Sequence, residues 1–332
     1  MNTIKNVVTL GGGGGHAQVL KGLKALPDIA ITAICPSTDS GGSTGIFVRD
    51  YGCLGYLGDL TKCVAALCPD ERLSRALMQR FEGGCLHGHS LKNLLLLGLT
   101  QATGLSGSEA LALFHRMCRI DRHRVIPASF EHAELCARLK FGSEIVGETN
   151  IDNLAKNPIW SPDVHAIKSL YLRPSVSASK DAVDVISRAD QCIICPGDLY
   201  SSVIPTLLPT GIKAAFRRSK TRVIMILNIM TKQGETDGYS AEDLVKRIEE
   251  SIGMRCDIII VNSASIPKRS LLLYRLEQKI SVSSRTLLRD RRLMKAPLVN
   301  VAPSGRLYHD PVAIRKTLEK VFNENSKGKR GN

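Results

Sequence analysis

The chain has 332 residues, 43% of them hydrophobic and 23% charged, with a formal net charge of +14. That balance describes a globular protein and excludes a disordered or collagen-like chain. Apolar runs such as 94–99 are far too short to span a bilayer, and the first residues lack a charged segment followed by a hydrophobic one. A cytoplasmic location without a membrane span is therefore expected.

Residues 6–10 read as a short strand that stops in the five glycines 11–15. A helical pattern over 17–26 follows, with Val19, Leu20, Leu23 and Leu26 on one face, and then a second strand over 29–35. This opening βαβ unit with a glycine turn is the usual start of a parallel sheet. The second strand stops in a loop over 38–45 that holds Asp39, Gly42, Ser43 and Thr44. Helical patterns at 60–67, 71–81, 91–101 and 108–117 mark a helical insertion over roughly 59–120. Asp59 opens the first of these, and His89, Lys92 and Asn93 surround the start of the third.

The period changes over 125–172. Two strands, 135–140 and 144–148, flank a hairpin turn, and 165–172 is another strand, so this stretch reads as a β-rich insertion beside the main sheet. The βα alternation then resumes with helices over 179–188, 202–217 and 241–251 and strands over 191–195, 223–227 and 257–261. A third polar loop, 196–202, carries Gly197, Asp198 and Ser201. A helical or irregular basic stretch, a strand over 298–301 and a helix over 312–322 complete the chain. The expected organisation is one α/β domain over 1–325 with a flexible tail over 326–332. Its fold class is Rossmann-like and doubly wound, with a mainly parallel sheet and helical and β-hairpin insertions.

Three glycine-bearing loops at strand ends suggest a crevice for phosphates. Glycine lets the backbone approach a ligand, and the helix that follows offers the positive end of its dipole. The first loop is neither a dinucleotide fingerprint, since His16 stands at the third glycine position, nor a P-loop, since no Gly-Lys-Ser/Thr closes it. Asp39, Asp59 and Asp198 fall at the loops, where N-cap or Asx-turn duty competes with a sharper role. That role is to hold Mg²⁺ against a diphosphate, with Asp39 and Asp198 as the metal candidates. His89 adds a candidate acid or base to these two aspartates. No elbow of the G-x-S-x-G type appears.

The ten cysteines are irregularly spaced, as in a reduced protein, and Cys192 and Cys195 read as small hydrophobes in a buried strand. No second close pair accompanies them, so the spacing contains no zinc motif. From Lys268 onward 16 Lys/Arg face 5 Asp/Glu, with Arg285, Arg289, Arg291, Arg292 and Lys295 at the centre. Without aromatic interleaving this basic face argues against nucleic acid and leaves a protein partner or a diphosphate wall. Association with copies of itself is also expected.

The ordered set of loops resembles a known family. The glycine loop, the 38–45 loop, Gly58-Asp59, the stretch 88–93, the stretch 196–205 and the stretch 228–236 occur in the order found in the gluconeogenesis factor family (YvcK-like). That family lies within the superfamily of 2-phospho-lactate transferases (CofD-like), and the similarity runs from about 7 to 322. The resemblance implies a Rossmann-like cytoplasmic protein that binds a UDP-sugar such as UDP-N-acetylglucosamine. It also implies a role in gluconeogenic growth and cell shape, with no cofactor needed for binding. The transferase branch instead implies movement of a phospho-lactyl group with Mg²⁺.

On this reading Gly12, Gly13, Gly14, Gly42, Gly197, Ser43 and Thr44 approach the ligand. Lys92, Asn93 and His89 line its phosphate end, with Asp39, Asp59, Asp198, Ser201 and Asn228 around them. Tyr274 contacts the base or sugar. The chain departs from the family at Gly14, usually Thr, and at Lys92, usually Gly. It also has Tyr308 where the family has Arg, and Arg306 is the candidate substitute.

Overall fold

The structure is a computed structural model that describes residues 4–52 and 57–328. The first strands are β1 (Lys5–Leu10), β2 (Ile29–Cys35) and β3 (Arg124–Pro127). They are followed by β4 (Glu134–Leu139), β5 (Glu144–Val146), β6 (Ile167–Arg173) and β7 (Gln191–Ile194). The last are β8 (Arg222–Ile226), β9 (Ile258–Asn262), β10 (Leu293–Ala296), β11 (Val299–Val301) and β12 (Leu307–His309).

Seven of these form one parallel sheet in the order β10-β9-β8-β7-β1-β2-β3. Its strands are predominantly apolar, as in the run 258–261 of β9, because both faces are covered. Val7 and Ile193 point into one core, with the helices Gly13–Leu23, Leu57–Leu67 and Pro311–Gly328. Val8, Cys192 and Ile194 point into the other, with the helices Lys180–Arg188, Ile212–Arg218 and Ala241–Ile252. This is the α/β, doubly wound arrangement expected from the βα alternation. Strands β5-β4-β6 form a small antiparallel sheet, and β11 pairs with β12. Among the described residues no helix is long and apolar enough to cross a membrane.

Four stretches differ from expectation. Residues 125–127 do not belong to the β-rich insertion; β3 joins the main sheet beside β2, with Ala33 opposite Val125. The helix expected over 202–217 is broken. A wide turn over Leu199–Val203, where the Asp198 carbonyl accepts from both Ser202 and Val203, leads to Ile204–Leu207, and a new helix begins at Ile212. Gly211 makes that break with φ of 110°, in the region that favours glycine. The basic stretch read as helical or irregular holds the helix Lys268–Leu276, within that reading, and also the unexpected strand β10. The tail expected from 326 continues the last helix to Gly328, and residues 329–332 lie outside the described residues.

Candidate functional site

The connection order of the sheet reverses between β1 and β7, and the loops after these two strands diverge at their carboxyl ends. In doubly wound sheets that divergence opens the ligand crevice. The glycine run supplies more than a loop: the helix Gly13–Leu23 begins inside it, and no side chain caps its start at Gly12. The first-turn N–H groups therefore face the crevice with the positive end of the helix dipole. The glycines are needed for space. A Cβ on Gly15 would lie 2.1 Å from the Pro196 carbonyl oxygen, and one on Gly12 would lie 2.1 Å from Asp59 Oδ2.

Two cavities flank this helix start. The one on the β7/β8 side has a volume of about 290 Å³ and is lined by Gly14, Gly197, Asp198, Asn228 and Tyr274, with Gln18, Lys232, Lys279, Tyr308 and His309. The one on the β2 side has a volume of about 260 Å³. Gly13, Asp39, Gly42, Ser43, Thr44, Asp59, Lys92, Asn93 and Ser201 line it, with Lys62, Arg80, Glu148 and Ser202. The residues expected to share one crevice are thus divided, and the two metal candidates, Asp39 and Asp198, line different cavities.

In the β2-side cavity the loop read over 38–45 is half helix: Gly42–Tyr51 is helical and starts uncapped at Gly41. Asp39 Oδ1 accepts from the Gly41 N–H at 3.0 Å. Burial and the neighbouring Asp59 push the Asp39 carboxyl above its ordinary range. Gly58 lies between the two acids, and a Cβ there would meet Asp39 Oδ2 at 1.9 Å. Burial, with Asp39 and Asp152 nearby, pushes Glu148 up to about 8. Lys62 pairs with Asp59 at 3.0 Å.

Lys92 is only 3% exposed. Its ammonium donates to Asn93 Oδ1 at 2.8 Å, Thr61 Oγ1 at 3.1 Å and the Gly58 carbonyl at 3.4 Å. Burial, with Lys62 and Arg80 nearby, brings it down to about 7. It is a cation held by neutral acceptors at a cavity wall, which an anionic ligand would favour in its charged form. His89 stands behind the wall: its Nδ1 bonds Ser43 Oγ at 2.8 Å and its ring stacks on Phe47 at 4.8 Å. It positions the Ser43 hydroxyl.

The β8-side cavity is organised by Lys232. Its ammonium pairs with Asp198 at 2.8 Å, with Glu235 at 3.0 Å and with Asp152. Burial opposes the charge, but the Glu235 and Asp198 carboxylates outweigh it and hold the ammonium well above its ordinary value. Lys232 therefore fills the centre of an acidic group that could otherwise draw a metal ion. Asn228 clamps the third loop, donating from Nδ2 to the Gly197 carbonyl at 2.7 Å and accepting from its N–H at 2.9 Å. Ser201 Oγ donates to Glu235 at 2.7 Å. Tyr274 Oη accepts from the Leu307 N–H at 3.0 Å. Arg306 pairs with Glu277 and lies over the Tyr274 ring, with its guanidinium carbon 5.6 Å from the ring centroid. It stands outside the lining of both cavities.

Sequence reading missed Lys62, Arg80, Glu148 and Lys232. Two left a local signal, since Lys62 follows Asp59 by three residues and Lys232 precedes Glu235 by three, spacings that pair on a helix. Arg80 and Glu148 left none.

Comparison with known proteins identifies the family and the fold. The family described as 2-phospho-L-lactate transferase CofD matches residues 7–301. A gluconeogenesis factor of Halalkalibacterium halodurans is 37% identical over 261 residues, 77% of this chain and 77% of its own. That of Bacillus subtilis is 34% identical over 280 residues, 82% of this chain and 83% of its own. A solved Bacillus halodurans protein of the UPF0052 family superposes with a TM-score of 0.84 at 32% identity, covering 94% of this chain and 99% of that one. From the glycine turn to the strand at 299–301, the chain belongs to the CofD family, among the proteins named gluconeogenesis factor.

Proposed function

We propose that the crevice binds a nucleoside diphosphate sugar of the UDP-N-acetylglucosamine type, and that the protein serves gluconeogenic growth and cell shape in the cytoplasm through that ligand. The observation that carries this reading is the β2-side cavity, where Lys62, Arg80 and Lys92 and the hydroxyls of Ser43 and Thr44 meet beside an uncapped helix start. Cations and oriented N–H groups suit a diphosphate. The neighbouring cavity offers Tyr274 and Gln18 to a base or sugar. Calorimetric titration with UDP-N-acetylglucosamine, with GDP and NAD as controls, tests the reading. Micromolar binding of the UDP-sugar alone is the expected result, and silence from it rejects the ligand.

A second reading has its own observation: Asp39, Asp59 and Glu148 line the same cavity and are hard oxygen donors of the kind Mg²⁺ takes. On that reading the protein is a phospho-lactyl-type transferase, and Asp39 and Asp59, rather than Asp39 and Asp198, would hold the ion. Binding of GDP that requires Mg²⁺ and is lost with chelator would favour it. The exposed Arg285, Arg289 and Arg291 are proposed to meet an acidic protein partner, and self-association is proposed as well.

A further inference from the structure

Beneath the glycine turn, outside both cavities, three residues that are remote in sequence converge. His16 lies on the helix Gly13–Leu23, Cys35 ends β2, and Cys63 lies on the helix Leu57–Leu67; all three are fully buried. Cys35 Sγ is 3.5 Å from Cys63 Sγ, and Cys63 Sγ is 3.6 Å from His16 Nδ1. One strand and two helices therefore bring two thiols and an imidazole within 4.8 Å of one another.

These separations suit a tetrahedral thiophilic ion. With metal–sulfur bonds of about 2.3 Å and metal–nitrogen bonds of about 2.0 Å, donors sharing one ion stand ~3.5–3.8 Å apart. The second ring nitrogen is also provided for. His16 Nε2 lies 2.8 Å from Thr9 Oγ1, the kind of contact that orients a ligating imidazole. Without an ion, Nδ1–H donates to the Gly11 carbonyl at 2.8 Å. Burial on this scale is the habit of closed structural sites.

We propose that Cys35, Cys63 and His16 form a buried site for one divalent ion of the zinc class. Binding displaces the two thiol protons to solvent. The imidazole stays neutral as the ring proton moves to Nε2, where Thr9 Oγ1 accepts it, and Nδ1 turns to the ion. The ion would tie β2 to the helices Gly13–Leu23 and Leu57–Leu67.

Cobalt tests this, because a thiolate-bound Co²⁺ absorbs where an oxygen-bound one does not. The full chain, stripped with chelator and titrated with Co²⁺, should develop a thiolate-to-cobalt charge-transfer band that saturates at one equivalent and is bleached by Zn²⁺. Cys35→Ser and Cys63→Ser should each lose the band while keeping the wild-type circular dichroism, and Cys85→Ser, which changes an exposed thiol, should retain it. If the folded wild type gives no such band, the proposal falls whatever the variants do. A band lost in Cys85→Ser but kept in Cys63→Ser would equally overturn it.

Discussion

Replacing Lys232 by Met should unfold the third loop's support without touching the sheet. Glu235 is 0% exposed and accepts from the Tyr200 N–H and from Ser201 Oγ, each at 2.7 Å; Lys232 is its cation at 3.0 Å. Removing one partner of a buried pair costs about 3–5 kcal/mol, because the other charge is left uncompensated. The lower end applies here. The two donors to Glu235 remain, and Asp152 and Asp198 are 38% and 43% exposed, so solvent screens them. Unfolding entropy of about 2.1 cal/mol/K per residue gives roughly 0.7 kcal/mol/K for this chain, so ~3 kcal/mol lowers Tm by about 4 °C.

Adding Glu235→Gln to Lys232→Met should recover most of that loss, since a neutral amide needs no cation. The effect also has a pH signature. The folded ammonium titrates above its ordinary value. Its contribution is therefore full below that value, about 10.4, and is lost as pH rises further, where the two proteins converge. Calorimetric melts at pH 7 and in strongly alkaline buffer measure both. A Tm within about one degree of wild type at pH 7, or no recovery in the double variant, refutes the reasoning.

Lys92→Met should weaken nucleotide-sugar binding about tenfold, worth ~1.4 kcal/mol. Wild-type affinity should fall as pH rises through about 7, where Lys92 loses its proton, and calorimetry from pH 6 to 9 should find that slope missing in the variant. Glu148 is ordinarily ionised above 4.5 but is held protonated up to about 8 when folded, so its contribution to stability declines as pH rises between those values. Denaturant melts at pH 5 and 8 should find Glu148→Gln gaining on wild type over that interval, and parallel behaviour would count against it. Gly15→Ala should cost about 1–3 kcal/mol, because its Cβ meets the Pro196 carbonyl. Gly14→Ala, with open space around its Cβ, should melt as wild type does.

The βα alternation and the strand-end loops were legible because each is a local pattern: an apolar run, a glycine or polar turn, then a helical stripe. Side-chain direction was not. Lys92 reads as a residue beside a cleft, which suggests that Lys92→Glu would spare stability. The structure surrounds its ammonium with the oxygens of Asn93, Thr61 and Gly58, so a carboxylate there would face acceptors and destabilise the fold. Arg292 reads as the centre of a basic face, yet it pairs with Glu249, 43 residues earlier, and donates to the Cys256 carbonyl at 3.0 Å. Arg80 and Glu148 reach the Asp39 cavity from separate parts of the chain, a convergence that tertiary packing creates and no local window contains. Asp39 and Asp198 resemble each other in sequence, each following a strand, but the strands they follow lie on opposite sides of β1.

The β2-side cavity is assembled from parts of unequal tolerance. Its wall includes backbone at Gly58, where even one methyl group would collide with the Asp39 carboxylate. Its cations, Lys62, Arg80 and Lys92, all arrive on the helical stretch between β2 and β3. A change of ligand could therefore be accomplished by editing that one stretch while Gly58 stays untouched. The same division offers an engineer a practical route: hold the glycines constant, randomise 62, 80 and 92, and select for new anions.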